Sequence, residues 1–316
     1  MPISIRPYCQ ETDFEQLLEI SNLDSLDQKY SRYELLRIEE RLTEAGNYQV
    51  WTAFGEGHVA GFCSLKLADW APEPDTYLLR VALHPDETIG VHDQVLQFLV
   101  REAEKLKAKK LILWTRDDHP KRMSRYSNRG FIQTKRHPLT VLDVSKFEST
   151  LYVPALALLE RKGVEFTTCA DLDRRRIDWV KMLYDAILTI IDESPGDKTF
   201  VQPTYEEFWT RQTNAQLVPP STSFVAIQDG KMVGISRHIR SEVDHKLLRT
   251  GLTGVLASHR GRHIATCLKV KAIEYCQSNE IERIQTDNVE ESPMLHLNYK
   301  LGFERVCTLL EYQLSL

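Results

Sequence analysis

The stretch Thr253-Gly-Val-Leu-Ala-Ser-His-Arg-Gly-Arg-His-Ile-Ala265 decides the fold. It reads as a short apolar strand, a tight basic loop and the start of a helix. From Ile264 the apolar residues fall at Ile264, Leu268, Ala272 and Cys276, with Ala265 and Ile273 beside them. That 3.6-residue stripe predicts one amphipathic helix with its inner face on a sheet. Its first turn carries no Asp or Glu, although helix N-termini attract them; Arg260, Arg262 and His263 are expected there instead. Unsatisfied N–H groups, a partial positive charge and two guanidinium groups make an anion site, and a diphosphate is its natural guest. Each charge-assisted hydrogen bond to such a guest contributes about 1.5–3 kcal/mol.

Downstream, Ile281-Glu-Arg-Ile-Gln-Thr286 alternates apolar and polar and reads as a second strand. Asp287, Asn288 and a short loop with Pro293 follow, then a helix over Met294–Leu301 stopped by Gly302 ahead of Phe303. This order, with the wording Thr-Gly-Val, Arg-Gly-Arg, Thr-x-Asn, Pro-Met and Asn-x-x-Leu-Gly-Phe, resembles the core of the GNAT superfamily of N-acetyltransferases. It is similar in particular to a tandem-GNAT subgroup that includes relatives of mycothiol synthase. The family's phosphate motif, Gln/Arg-x-x-Gly-x-Gly/Ala, is matched by Arg260-Gly-Arg-His263-Ile-Ala265, except that His263 stands where the family carries glycine.

The resemblance implies an α/β fold with a mixed central sheet flanked by helices, and acetyl-CoA as cosubstrate. Residues Arg260, Gly261, Arg262, His263, Ile264, Ala265 and Thr266 would then hold the diphosphate. The pantetheine arm would pair like a strand with Leu252–Ala257, where Thr253, Gly254 and Val255 come nearest the thioester and Gly254 permits close backbone approach. Asn288 would bond the arm or a loop backbone. Many family members place a Tyr four residues before the Gly of Gly-Phe to protonate the leaving thiolate. Here that position is Asn298, with Tyr299 one residue on and about 100° around the helix. A base for the attacking amine is sought among Glu242, Asp244, Asp287 and Glu290, of which Glu242 is taken as the candidate. The segment Arg240–His245 reads equally well as a charged turn.

The chain repeats itself. Trp51–Phe62 aligns without a gap on Phe224–Ile235, both reading strand, acidic-Gly turn, strand. Val81 pairs with Val255, and Gly130-Phe131 with Gly302-Phe303, at nearly the same offset. The expectation is two tandem GNAT domains: a degenerate copy over 1–149, a linker over 150–163 and a copy with the acetyl-CoA site over 164–316. The first copy opens with an edge strand at Ile3–Pro7 and a helix around Phe14–Ile20 capped by Asp13. Further helices are expected over Tyr33–Glu44 and Asp93–Lys107. Its counterpart of the basic loop, Pro85–His92, carries Asp86, Glu87 and Thr88, which repel a diphosphate. That copy is read as structural or substrate-shaping, against the alternative that it holds CoA by another route. The second copy carries about a dozen extra residues ahead of its hairpin, placed at Asp192–Pro203, either a substrate loop or a surface insertion.

Composition agrees with a globular protein: 316 residues, 42% hydrophobic and 27% charged. The net charge of −5 excludes a general nucleic-acid binder. No stretch reaches the roughly 18–20 apolar residues of a membrane span. The N-terminus lacks a signal-peptide layout, and the six cysteines show no CxxC spacing, so a reducing cytoplasm and no metal are expected. The function expected is acetyl transfer from acetyl-CoA to an amine of a small molecule or peptide, by direct attack in the second copy. The rival from another class is a catalytically inactive acyl-CoA-binding sensor or scaffold.

Overall fold

The computed structural model describes residues 3–44, 46, 48–55, 57–68, 70–85, 89–175, 177–194, 203–214 and 218–316. By internal contacts the chain forms two compact units, Met1–Leu139 with Cys307–Leu316, and Thr140–Val306.

In the first unit, β1 (Ser4–Pro7), α1 (Gln10–Leu23) and α2 (Arg32–Glu44) precede the hairpin β2 (Tyr48–Gly55) and β3 (His58–Leu67). Then come β4 (Thr76–Leu83), α3 (Ile89–Lys105), β5 (Lys110–Arg116), α4 (Pro120–Asn128) and β6 (Ile132–Asp143). Asp13 does not cap α1 as expected. The helix begins at Gln10 with Cys9 at its N-cap, so Asp13 lies inside the first turn. There it is 2% exposed and accepts bonds from both Arg6 guanidinium nitrogens at 2.7 Å, from the Cys9 amide and from Thr52 Oγ1. Burial opposes its charge, but these donors outweigh it and hold the carboxyl well below the usual range. It ties α1 to β1 and β2, a larger job than capping. The helix expected from Asp93 starts four residues earlier, at Ile89.

The second unit holds α5 (Val153–Arg161), β7 (Glu165–Thr168), α6 (Cys169–Arg174), α7 (Trp179–Asp192) and α8 (Tyr205–Asn214). The hairpin β8 (Ser223–Gln228) and β9 (Lys231–Arg240) follows. Then come β10 (Leu247–Val255), α9 (Ile264–Ser278), β11 (Arg283–Asp287), α10 (Pro293–Lys300) and β12 (Glu304–Ser315). The strands that the first unit draws on run in the order β1-β2-β3-β4-β5-β12, and those of the second run β6-β11-β10-β9-β8-β7. The last stretch of β6, from Thr140, thus belongs to the second unit and that of β12, from Cys307, to the first. Inside the first unit β12 pairs antiparallel to β5 from Leu309↔Arg116 to Ser315↔Lys110.

Two placements shift. The extra residues of the second copy are not gathered at Asp192–Pro203. The single helix Gln10–Leu23 of the first copy corresponds to a two-helix run, Cys169–Arg174 and Trp179–Asp192, so much of the length is added before Asp192. Residues 195–202 of the expected loop lie outside the described residues, as do Asp86, Glu87 and Thr88 of the first copy.

Register explains how α7 and α9 clamp the second sheet. Val255 pairs with Gly234 and Gly254 with Ile235, so each pair points to one face. A Cβ on Gly234 would sit 2.9 Å from Ile264 Cγ2 and 3.1 Å from Leu268 Cδ1 of α9. A Cβ on Gly254 would sit 2.3 Å from Ile190 Cγ2 of α7, on the opposite face. Each glycine lets a helix settle onto the strands. Val255, Ile264, Leu268, Ala272, Ile273 and Cys276 share one core beneath α9.

Candidate active site

In the second unit the parallel pair β10 and β11 is short. Its register runs Leu247↔Arg283, Leu248↔Ile284 and Arg249↔Gln285, and there it stops. β10 continues to Val255 with ladder partners on its β9 side, through an irregularity between Thr250 and Leu252. The two strands therefore part after Arg249, and the β11-facing edge of residues 250–255 is left for another extended chain.

Past Val255 the chain makes a 3₁₀ turn at Ala257–His259 and reaches α9 through Gly261 at φ 73° and His263 at φ 64°. His263 is the helix N-cap in left-handed conformation, so the family's glycine position carries a conformational demand that a histidine meets at some strain. Arg260, Arg262 and His263 lie in the loop before the helix, not in its first turn as expected, because α9 begins at Ile264. Gly261, Arg262 and His263 are exposed, and Ile264 anchors the turn in the core.

Two contacts engage this loop from α7. Glu193 Oε2 accepts the Ala257 amide at 2.5 Å, and Arg260 donates to the Glu193 carbonyl at 3.2 Å. Arg260 Nε also donates to the Val255 carbonyl at 3.0 Å, which folds the guanidinium back along the strand end. The amides that open α9, two arginines and a parted strand pair suit a diphosphate carrier with a strand-like arm; the Glu193 carboxylate stands beside the same loop.

The other sequence candidates are placed as follows. Thr253 Oγ1 lies 2.9 Å from Ser236 Oγ. Ala265 and Thr266 are half-buried in the first turn of α9. Asn298 is fully buried and donates to Asn288 Oδ1 at 2.6 Å, so these two candidates meet each other. Tyr299 is 42% exposed, on the outer side of α10. Glu242 lies in the loop before β10, at the end of that strand away from Val255. The strand between them is about 26 Å long at the usual rise. The structure therefore does not bring Glu242 to Val255. Its neighbour Asp244 holds the turn together, accepting from Arg283 at 2.6 Å. Gly254, read as permitting close backbone approach, has Ile190 of α7 packed on its Cβ side.

Sequence reasoning missed several groups. Thr250 and Thr253 of β10 face the same side as His238 and Ser236 of β9, beneath α9. His238 Nε2 lies 3.1 Å from Ser236 Oγ, and its Nδ1 lies 3.4 Å from Thr250 Oγ1. Burial, and secondarily the charge of Lys269, push the His238 pKa down to about 3. Burial lowers that of Lys269 itself to about 8.

The first unit has its own parted pair. β4 and β5 pair only from Thr76↔Lys110 to Leu78↔Ile112. A cavity of about 190 Å³ lies beyond, lined by Leu79, Val81, Trp114, Asp24, Arg122 and Tyr126 among others. Tyr126 stands four residues before Gly130, the spacing that Asn298 keeps to Gly302, and the sequence carries that signal. Its hydroxyl is 3.3 Å from His92 Nε2. Burial pushes the Tyr126 pKa up to about 12, and burial with nearby arginines pushes His92 down to about 3.

Among the described residues no cluster of three or more His, Cys, Asp or Glu is arranged to hold a metal, and no helix is long and apolar enough to cross a membrane. The six cysteines are free, five of them buried.

The chain is similar in structure to a tandem GNAT protein from the clavulanic acid biosynthesis pathway, with TM-score 0.74 and 18% identity over 99% of this chain and 98% of that one. It is also similar to a GCN5-related N-acetyltransferase from Sphaerobacter thermophilus, with TM-score 0.69 and 14% identity over 99% and 95%. No curated protein matches it by sequence. The acetyltransferase (GNAT) family matches residues 14–131 and 184–303, one stretch in each copy. With both copies matched over most of their length, the chain belongs to the acetyltransferase (GNAT) family.

Proposed function

We propose that the protein transfers an acetyl group from acetyl-CoA to an amine of a small molecule or peptide, and that the second unit holds the carrier. The observation that carries this reading is the parting of β10 from β11 after Arg249, which opens toward the Arg260–Thr266 loop. The diphosphate would lie on the amides that open α9, with Arg260 and Arg262 beside it. The pantetheine arm would bond the unpartnered edge of β10. The amine would attack the thioester carbon directly, since burial raises the thiols of Cys169, Cys267 and Cys276 well above the range of a nucleophile. A reducing, cytoplasmic setting suits six unpaired thiols.

The test is calorimetric titration of CoA and acetyl-CoA, followed by thiol release over a panel of amines. Arg260→Ala should weaken CoA binding about tenfold, the loss of roughly one charge-assisted bond. Unchanged affinity removes the carrier from this loop. A second reading, that turnover belongs to the first unit, is favoured by Tyr126 in the cavity between β4 and β5. A third, an inactive carrier-binding sensor, is favoured by Asn298, whose buried amide is bonded to Asn288. Binding without turnover of any amine would select the third.

A further inference from the structure

Lys269 lies on the inner side of α9, 2% exposed, in a row otherwise made of Cys267, Leu268, Val270, Ala272 and Ile273. Its ammonium sits 5.5 Å from the centroid of the Phe303 ring. It is also close enough to His238 for its charge to help keep that ring neutral. His238 is on β9, and Phe303 packs with Ile284 of β11 in the core beneath α9. The ammonium therefore lies near Phe303, on the side of the sheet that carries α9 and the His238 ring. His238 contacts Thr250, the first residue of β10 beyond the last pair with β11. Lys269 thus shares the α9 side of the sheet with Ser236, His238, Thr250 and Thr253, and Thr250 marks the closed end of the parted strands.

Among the described residues no carboxylate and no hydrogen-bond acceptor reaches this ammonium, and burial is the sole influence on its titration. Asn298 Oδ1, on α10, is buried without a partner. A buried charge is normally paired or neutralised, because leaving water costs several kcal/mol. The ring face of Phe303 offsets part of that cost. A cation kept in the interior with no counter-charge on the protein suits a counter-charge on a ligand.

A carrier lying as proposed above would run along β10 from the Arg260 loop toward Thr250, so its acyl end would come to the closed end. Resting on that reading, we infer that Lys269, with the Ser236, His238 and Thr253 side chains, receives a carboxylate at the far end of the acyl group. The enzyme then prefers the half-thioester of a dicarboxylic acid, of malonyl or succinyl type, over acetyl. The transfer balances as any acyl transfer does. The amine nitrogen bonds the acyl carbon, the carbon–sulfur bond breaks with its electron pair on sulfur, and one proton passes from nitrogen to sulfur. The distal carboxylate is unchanged throughout.

The experiment titrates CoA, acetyl-CoA, malonyl-CoA and succinyl-CoA into the wild-type protein, Lys269→Met and Lys269→Arg, with circular dichroism confirming that each variant is folded. In the wild type at least one dicarboxylic thioester should bind ten or more times tighter than acetyl-CoA. Lys269→Met should remove that preference and leave CoA affinity within twofold, while Lys269→Arg keeps part of it. Equal binding of all acyl forms, or a preference that survives Lys269→Met, overturns the inference while leaving the carrier site intact. Failure of CoA itself to bind overturns the carrier site, and this inference with it.

Discussion

Glu193 Oε2 accepts the Ala257 amide at 2.5 Å, and the corresponding bond recurs in the other copy, where Asp24 Oδ2 accepts the Leu83 amide at 3.2 Å. Val81 aligns with Val255, so Leu83 and Ala257 are the same position in the repeat. In both copies the acid is the C-cap of the last helix before the α1–α2 or α7–α8 connection. Asp24 is further fixed by Arg122 at 2.6 Å. Among the described residues Glu193 has no such lock, and the approach of an Arg260 guanidinium nitrogen to its carboxylate is 4.0 Å.

A carboxylate beside the diphosphate loop opposes an anionic guest twice, by repulsion and by occupying the Ala257 donor. Glu193→Gln should therefore raise CoA affinity about three- to tenfold, roughly 1 kcal/mol for a partly exposed charge. The gain should shrink as salt is added. Calorimetry at low and moderate ionic strength reads both; weaker binding in the variant would mean that Glu193 organises the loop instead of guarding it.

Gly254 supplies a packing test. An added Cβ would lie 2.3 Å from Ile190 Cγ2, too close for either backbone or rotamer to stay in place. Gly254→Ala should cost about 1–3 kcal/mol of stability by overpacking. Pairing it with Ile190→Ala should recover part of that loss, because the two positions are in contact. Additive losses in thermal unfolding would show that the strand does not need the space Ile190 fills.

What the sequence made legible follows from which signals are local. The stripe from Ile264 to Cys276 and the glycine stop at Gly302 act over one turn; α9 runs Ile264–Ser278 and α10 ends at Lys300, two residues before that glycine. The repeat was legible because a hairpin keeps its spacing. Sites made by register were hidden. His238 meets Thr250 across two strands, and whether Ser236, His238 and Thr253 share a face depends on an irregularity after Thr250 that leaves no mark in the residues. Glu193 was hidden for a similar reason, since its reach to Ala257 needs the end of α7 to be known. Gly254 was visible as a close approach, but a sequence does not say whether a ligand or a helix makes it. Tyr126 differs: its spacing to Gly130 is a local signal that the sequence itself carries.

Burial of Lys269 and His238 sets a pH signature. Both pKa values are lower in the fold than in the unfolded chain, near 8 against 10.5 for the lysine and near 3 against 6.5 for the histidine. The unfolded chain therefore binds more protons in each window, and stability rises with pH through both. Lysine burial costs its full amount below about pH 8 and nothing above about 10.5, so Lys269→Met should stabilise the free protein at pH 7 by up to roughly 3 kcal/mol. That advantage should fade by pH 10.5. Buried His238 and His92 should cause stability to fall as pH drops from about 6.5 toward 3. Unfolding midpoints across pH for the two proteins give the comparison. A variant less stable at neutral pH would mean that the ammonium is compensated within the fold.

Tyr126 decides between the two units. Its hydroxyl contacts His92 Nε2 at 3.3 Å in a buried setting, so Tyr126→Phe removes one neutral hydrogen bond and should cost about 0.5–1.5 kcal/mol of stability. The ring stays packed against Phe131 and Tyr312, which keeps the cavity wall in place. If the second unit carries the transfer, turnover of the best amine in the panel should remain within twofold of wild type in Tyr126→Phe. Arg260→Ala should then lose at least tenfold in kcat/KM. A drop of ten- to a hundredfold in kcat for Tyr126→Phe, with Arg260→Ala unaffected, would move the chemistry to the cavity between β4 and β5. It would leave the Arg260 loop as a carrier-binding or structural remnant. Tyr126 lies in the first unit and Arg260 in the second, so each variant reports on one unit.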